Sequence, residues 1–172
     1  MKKKTTLYIT QAAVIAALYV ALTYVSNSLG LAYNAIQFRL SEVLTVLPVF
    51  TPAAIPGLAI GCIIANISSP FGVADIICGS VATLSAAVIS RLCRNITLRG
   101  IPVLSTIPPV LFNAVIIGLE IWFFSERTPE IFFISALEVA AGQLVMCVFA
   151  GIPFMQAVKK TRVFDRINSF TT

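Results

Sequence analysis

The sequence predicts an all-α integral membrane protein, one bundle of six transmembrane helices with both termini in the cytoplasm. Three observations lead there. Of 172 residues, 58% are hydrophobic and only 11% are charged, whereas a soluble domain is about half apolar and about a quarter charged. The mean hydropathy is +0.96. The apolar residues fall in long runs separated by short polar links, which leaves no block for a separate soluble or catalytic domain.

The first helix is expected at 7–28, after the basic start M-K-K-K-T-T. Its apolar run exceeds the roughly 7–15 residues of a signal-peptide core and ends without a small-residue cleavage site, so it reads as a retained span. The next apolar stretch, Leu40–Ile67, is longer than the ~20 residues of one span and shorter than the ~40 of two. Pro48, Pro52 and Pro56 divide it near Phe50–Thr51, because proline removes a helix hydrogen bond and restricts the residue before it. Two short helices at 38–50 and 52–67 follow. Longer runs place the remaining helices at 73–92, 103–124 and 130–158.

Charge decides the count. With six spans and the lysine-rich start inside, ten of the twelve basic residues fall on the inner side and only Arg39 and Arg127 outside, as the positive-inside bias requires. Five spans would put Arg91, Arg94, Arg99 and the basic C-terminal segment outside. At about 1.5 Å per residue, neither short helix crosses ~30 Å of hydrocarbon unaided. Irregular backbone there must be covered by protein or line a polar cavity.

Several chemistries are excluded. There is no histidine, so Ser-His and Cys-His nucleophile systems and zinc-protease motifs are absent. No P-loop motif occurs, and Cys62, Cys78, Cys93 and Cys147 lie in or beside apolar runs without metal-ligand spacing. No enzyme activity, cofactor, metal or nucleic-acid partner is expected. An intramembrane enzyme would have only carboxylates to work with, and a purely structural role leaves the outer polar groups without a purpose.

On this topology six of the seven acids lie toward the outside: Glu42, Asp75, Glu120, Glu126, Glu130 and Glu138. Glu126 and Glu130 sit in the polar link S-E-R-T-P-E. Glu120 is embedded in V-I-I-G-L-E-I-W-F-F, and Glu138 stands roughly 12 Å into the last helix. An ionisable group at that depth costs a few kcal/mol and faces a cavity or a partner. Asn66, Asn113 and Gln143 are further polar groups for the same interior. The segment N-A-I-Q-F-R-L-S-E, 34–42, reads as an outer connection entering a short helix and closing over that interior. Within it, Arg39 pairing with Glu42, three residues on, is the simplest reading.

In the first helix, T-Q-A-A-V-I-A-A-L-Y-V-A places Ala12 and Ala16 on one small-residue stripe and Ala13, Ala17 and Ala21 on another. Such spacing lets a second helix approach closely, either within the bundle or from another subunit.

Four segments together resemble a known family: Q-F-R-L-S-E-V-L-T-V-L-P at 37–48, T-P-A-A-I-P-G-L-A-I-G-C-I-I-A-N at 51–66, D-I-I-C-G-S-V-A-T-L at 75–84 and P-P-V-L-F-N-A at 108–114. The chain is similar to the substrate-binding S components of energy-coupling-factor transporters, in particular the QueT type associated with queuosine precursors. The resemblance implies a cell-membrane protein of the bacterial plasma membrane. It implies capture of a micronutrient in the outer half, with the first loop as a lid. It also implies docking through the alanine face onto an energising membrane subunit, with two ATPase subunits driving uptake. The implied substrate is preQ1, 7-aminomethyl-7-deazaguanine, or a near relative. Carboxylates at Glu138, Glu120, Asp75 and Glu42 suit its N–H donors and its cationic aminomethyl group. Asn34, Gln37, Asn66 and Asn113 suit the remaining edge, with Arg39 the one base nearby. Another vitamin or nucleobase-like ligand, or a membrane role outside transport, stands as the alternative.

Overall fold

The computed structural model describes residues 2–34 and 36–169, and among these every regular element is helical. The α-helices are α1 (Lys2–Ser28), α2 (Ala54–Ala65), α3 (Val73–Leu92), α4 (Ile107–Phe124), α5 (Pro129–Gln143), α6 (Gly151–Thr161) and α7 (Val163–Ser169). A ten-residue 3-10 helix, Leu40–Val49, lies between α1 and α2, and a π-helical stretch, Leu144–Ala150, joins α5 to α6. Four helical segments are long and apolar enough to cross a membrane: Lys4–Ser28, Val73–Asn95, Val103–Phe124 and Pro129–Thr161. Leu40–Val49 and Ala54–Ser68 are apolar but shorter.

Local chemistry explains the boundaries. Gly30, at φ 71°, closes α1: the Leu31 N–H donates to the Ser26 carbonyl and the Gly30 N–H to that of Asn27, both at 2.9 Å. This left-handed C-terminal motif satisfies carbonyls that the helix end would leave unpaired. The helix expected at 103–124 begins with a 3-10 turn, Val103–Thr106, and becomes α-helical at Ile107, with proline in its first turn, where a missing N–H costs nothing. Pro153 lies just beyond the π-helical stretch; its missing N–H and its ring disturb the regular ladder there. The seven-residue α7 extends the helical structure past the expected end at 158.

The Leu40–Val49 helix has an unusual form for its length, since 3-10 runs rarely exceed about four residues. Both of its ends are held from outside. At its start, α1 supplies three hydrogen bonds to three consecutive residues: Ser26 Oγ accepts from the Leu40 N–H at 2.8 Å, Thr23 Oγ1 donates to Ser41 Oγ at 2.8 Å, and Tyr19 Oη donates to Glu42 Oε1 at 2.6 Å. At its end, Arg91 of α3 donates to the Pro48 and Val49 carbonyls at 2.8 and 3.2 Å. A 3-10 rise of about 2.0 Å per residue reaches further than the 1.5 Å of an α-helix, so ten residues cover roughly 20 Å between these anchors.

The core joins α1, α2 and this short helix through Ile15, Tyr19, Leu44, Leu47, Leu58 and Cys62. Helices α1 and α2 approach closely because Gly57 and Gly61 face Ala12, Ala16 and Tyr19; a Cβ at Gly57 would stand 2.8 Å from the Ala12 carbonyl oxygen. Leu119, Phe133, Leu137 and Phe149 point outward from the long helices, as a bilayer-covered surface requires.

Candidate ligand-binding site

At the end of the bundle where α1 stops and α3 begins, polar side chains converge from five helices. Arg39 is the extended residue before the Leu40–Val49 helix, at φ −91° and ψ 112°. Its guanidinium is buried and donates to the Ala32 carbonyl at 3.0 Å, to Asn66 Oδ1 at 3.2 Å and to Asp75 Oδ2 at 3.4 Å. It also lies 4.8 Å from the centre of the Tyr33 ring. Asn66, fully buried at the end of α2, returns a 2.9 Å hydrogen bond from Nδ2 to the Asp75 carbonyl. Gly79 leaves room for it: a Cβ there would sit 2.5 Å from Asn66 Nδ2.

The simple pairing of Arg39 with Glu42 is therefore not what forms. The three-residue rule applies within one helix, and Arg39 stands outside the helix that carries Glu42. Arg39 pairs with Asp75, whereas Glu42 receives Tyr19 through Oε1 and keeps Oε2 buried with no hydrogen-bond partner. Below Glu42, Cys147 Sγ donates to Gln143 Oε1 at 3.0 Å and approaches the Glu42 carbonyl at 3.7 Å. That contact ties the π-helical stretch to the Leu40–Val49 helix.

Glu120 of α4 is 5% exposed, and neither carboxylate oxygen has a hydrogen-bond partner. It is within electrostatic range of Asp75 and Arg39. Asn113 lies seven residues earlier on the same buried face, and its Nδ2 donates to the Pro109 carbonyl at 2.9 Å. Gln37 is buried, and its backbone runs so close over α5 that a Cβ at Gly142 would collide with its carbonyl. Glu138 is half-buried on α5, and Asn34 is exposed, with Nδ2 donating to the Gly30 carbonyl.

Glu42, Asp75, Asn66, Arg39 and Glu120 are thus gathered at one end of the bundle; Gln37 and Asn113 are buried, the one over α5 and the other two turns before Glu120, Glu138 is half-buried on α5, and Asn34 stands apart on the surface. Tyr19, Thr23 and Ser26 were not among the expected site residues. Their signal was present, since positions 19, 23 and 26 fall on one face of the first helix. The alanine stripes separate: Ala12 and Ala16 are buried against α2, and Ala13, Ala17 and Ala21 are exposed.

A buried carboxylate without a partner is costly, and the remedy is a positive charge or several N–H donors. The cluster at Glu42 and Glu120 can offer three unpartnered acceptor oxygens to such a group.

A family described as QueT transporter matches residues 9–160 of the chain. A protein named queuosine precursor transporter QueT, from Lactococcus lactis subsp. cremoris (strain MG1363), is 42% identical over 84 residues, which span 49% of each of the two chains. No solved structure matches. With the family match covering most of its length, the chain belongs to the QueT transporter family.

Proposed function

We propose that the chain is the substrate-binding membrane subunit, or S component, of an energy-coupling-factor transporter. It captures a queuosine precursor such as preQ1, and an energising membrane subunit with two ATPase subunits drives uptake. In this reading the four long and two short apolar helices are six transmembrane segments of a bacterial plasma-membrane protein. Both termini are cytoplasmic, and the Asp75 end faces outside.

The observation that carries this reading is the set of unpartnered carboxylate oxygens on Glu42 and Glu120, buried beside Arg39 and Asp75. A guanine-like edge presents N–H donors that a carboxylate accepts in pairs, and a neighbouring aminomethyl cation answers a second acid. The name of the Lactococcus lactis relative supports the same substrate class. The cluster is close-packed, with Tyr19, Ser41 and Asn66 fully buried. Ligand access therefore requires Arg39 and the residues beside it, Gln37 and Phe38, to move away from α3, and the 3.4 Å Arg39–Asp75 contact is the fastening between them.

Calorimetric titration of the purified chain with preQ1, guanine and an anionic vitamin tests the proposal. Binding should rank preQ1 above guanine, with no anionic ligand bound. Tight binding of another vitamin in place of preQ1 would make the chain an S component for that compound. Absence of any micronutrient binding would place it outside transport by this route.

A further inference from the structure

At the end of the bundle opposite the carboxylates, two cavities of different chemistry share walls. One, of about 310 Å³, is lined by Arg94, Lys159 and Arg162 with a single acid, Asp165. The other, of about 410 Å³, is an apolar groove between α1 and the α6–α7 segment, lined among others by Leu7, Val14, Leu18, Leu44, Phe154 and Ile167. Val158 and Phe164 line both. Phe164 is fixed at this junction by stacking on Phe50, with ring centres 5.8 Å apart and 8° between the planes. Each volume lies within the roughly 300–1,000 Å³ of small-molecule sites.

Three bases against one acid leave the first cavity with an excess of positive charge. Among the described residues none of these bases forms an ion pair, and Lys159 donates instead to the Gly100 carbonyl at 2.9 Å. The bases stand on separate supports: Arg94 follows α3, Lys159 is in the last turn of α6, and Arg162 holds the left-handed joint to α7 at φ 51°. The groove has a defined depth. Its α1 wall, from Leu7 to Leu18, runs roughly 16 Å, about half of a ~30 Å hydrocarbon core and therefore the depth of one leaflet.

A basic cavity sharing walls with an apolar groove one leaflet deep matches a molecule with an anionic head and an alkyl chain. The geometry points to a binding site for an anionic glycerophospholipid, its phosphate held by Arg94, Lys159 and Arg162 and one acyl chain lying in the groove between α1 and α6–α7.

Native mass spectrometry of the full chain in detergent tests this, with phosphatidylglycerol, phosphatidylcholine of the same chains and inorganic phosphate as probes. The wild type should retain phosphatidylglycerol over phosphatidylcholine, and the preference should fall by about fivefold for each base removed in Arg94→Gln, Lys159→Gln and Arg162→Gln. Lys4→Gln, Arg127→Gln and Lys160→Gln together remove the same charge outside the cavity and should leave the preference intact. Val14→Trp, at a half-exposed groove position, should reduce retention of both lipids. Equal retention of the two lipids by wild type, or equal losses from the two charge sets, would overturn the site. Displacement of phosphatidylglycerol by an equal concentration of inorganic phosphate would make it a free-anion site, and unchanged retention in Val14→Trp would remove the chain from the groove. Lipid retention is read without preQ1, so its failure is separate from failure of the transport reading.

Discussion

The Arg39 guanidinium reaches Asp75, 36 residues further along the chain, at 3.4 Å, with both side chains almost fully buried. Removing one partner of such a pair leaves an uncompensated buried charge, which costs about 3–5 kcal/mol. Arg39→Ala should therefore lower the thermal midpoint of the detergent-solubilised chain markedly, and Asp75→Asn less, because the amide keeps an acceptor for Arg39. A double variant, Arg39→Met with Asp75→Leu, should be more stable than Arg39→Ala alone. Strict additivity in the corresponding double-mutant cycle would show that the two side chains are not coupled.

Glu120 makes a different demand from Asp75, because neither of its oxygens has a hydrogen-bond partner. Glu120→Gln should leave the thermal midpoint of the ligand-free protein unchanged or raised. It should weaken preQ1 binding by about 1.5–3 kcal/mol, roughly ten- to a hundredfold, the range for losing a hydrogen bond to a charged group. Glu138→Gln should have a smaller effect, since Glu138 is half-buried. Titration calorimetry on both variants makes the comparison, and an unaltered affinity in Glu120→Gln would remove it from the site.

Tyr19 holds Glu42 in place at 2.6 Å. Tyr19→Phe removes the donor to Glu42 Oε1, and about 1–3 kcal/mol of stability should be lost with the unsatisfied acceptor. Thermal unfolding measures this. Ligand should restore part of the loss if it donates to Glu42, because a ligand that binds only the folded protein raises its apparent stability.

The two alanine stripes of α1 should respond in opposite ways. Ala12→Leu with Ala16→Leu enlarges a buried face packed against Gly57 and Gly61, so overpacking should destabilise the bundle by about 1–3 kcal/mol per site. Ala13→Leu with Ala17→Leu acts on exposed positions and should leave folding and ligand binding nearly unchanged. If that stripe meets an energising subunit, uptake in cells should nevertheless be abolished. Parallel loss of binding and uptake would make these alanines part of the bundle.

The orientation has its own test, in a background where the partly exposed Cys78 and Cys93 are replaced by serine. Single cysteines at Asn34 and Arg127 should react with an impermeant maleimide from outside the cell, and those at Arg94 and Lys160 only after the membrane is opened. Labelling of position 94 from outside would favour five spans over six.

Hydrophobic run length and composition determined by themselves that the chain is helical and suited to a membrane, because a lipid phase accepts only backbone whose hydrogen bonds are made internally. The prolines at 48, 52 and 56 likewise marked the region where the Leu40–Val49 helix ends and α2 begins. The acids with no basic neighbour in sequence, Glu138 and Glu120, were legible as costly groups seeking a partner. Sequence spacing could not show that the Leu40–Val49 segment adopts 3-10 geometry, since that depends on Tyr19, Thr23 and Ser26 at one end and Arg91 at the other. Nor could it show that Arg39 passes over Glu42 to reach Asp75, or that one alanine stripe is buried and the other exposed. Each of these is decided by which helix faces which across the bundle. Contacts between residues far apart in the chain follow from packing, whereas local periodicity records only which face of a helix a residue occupies.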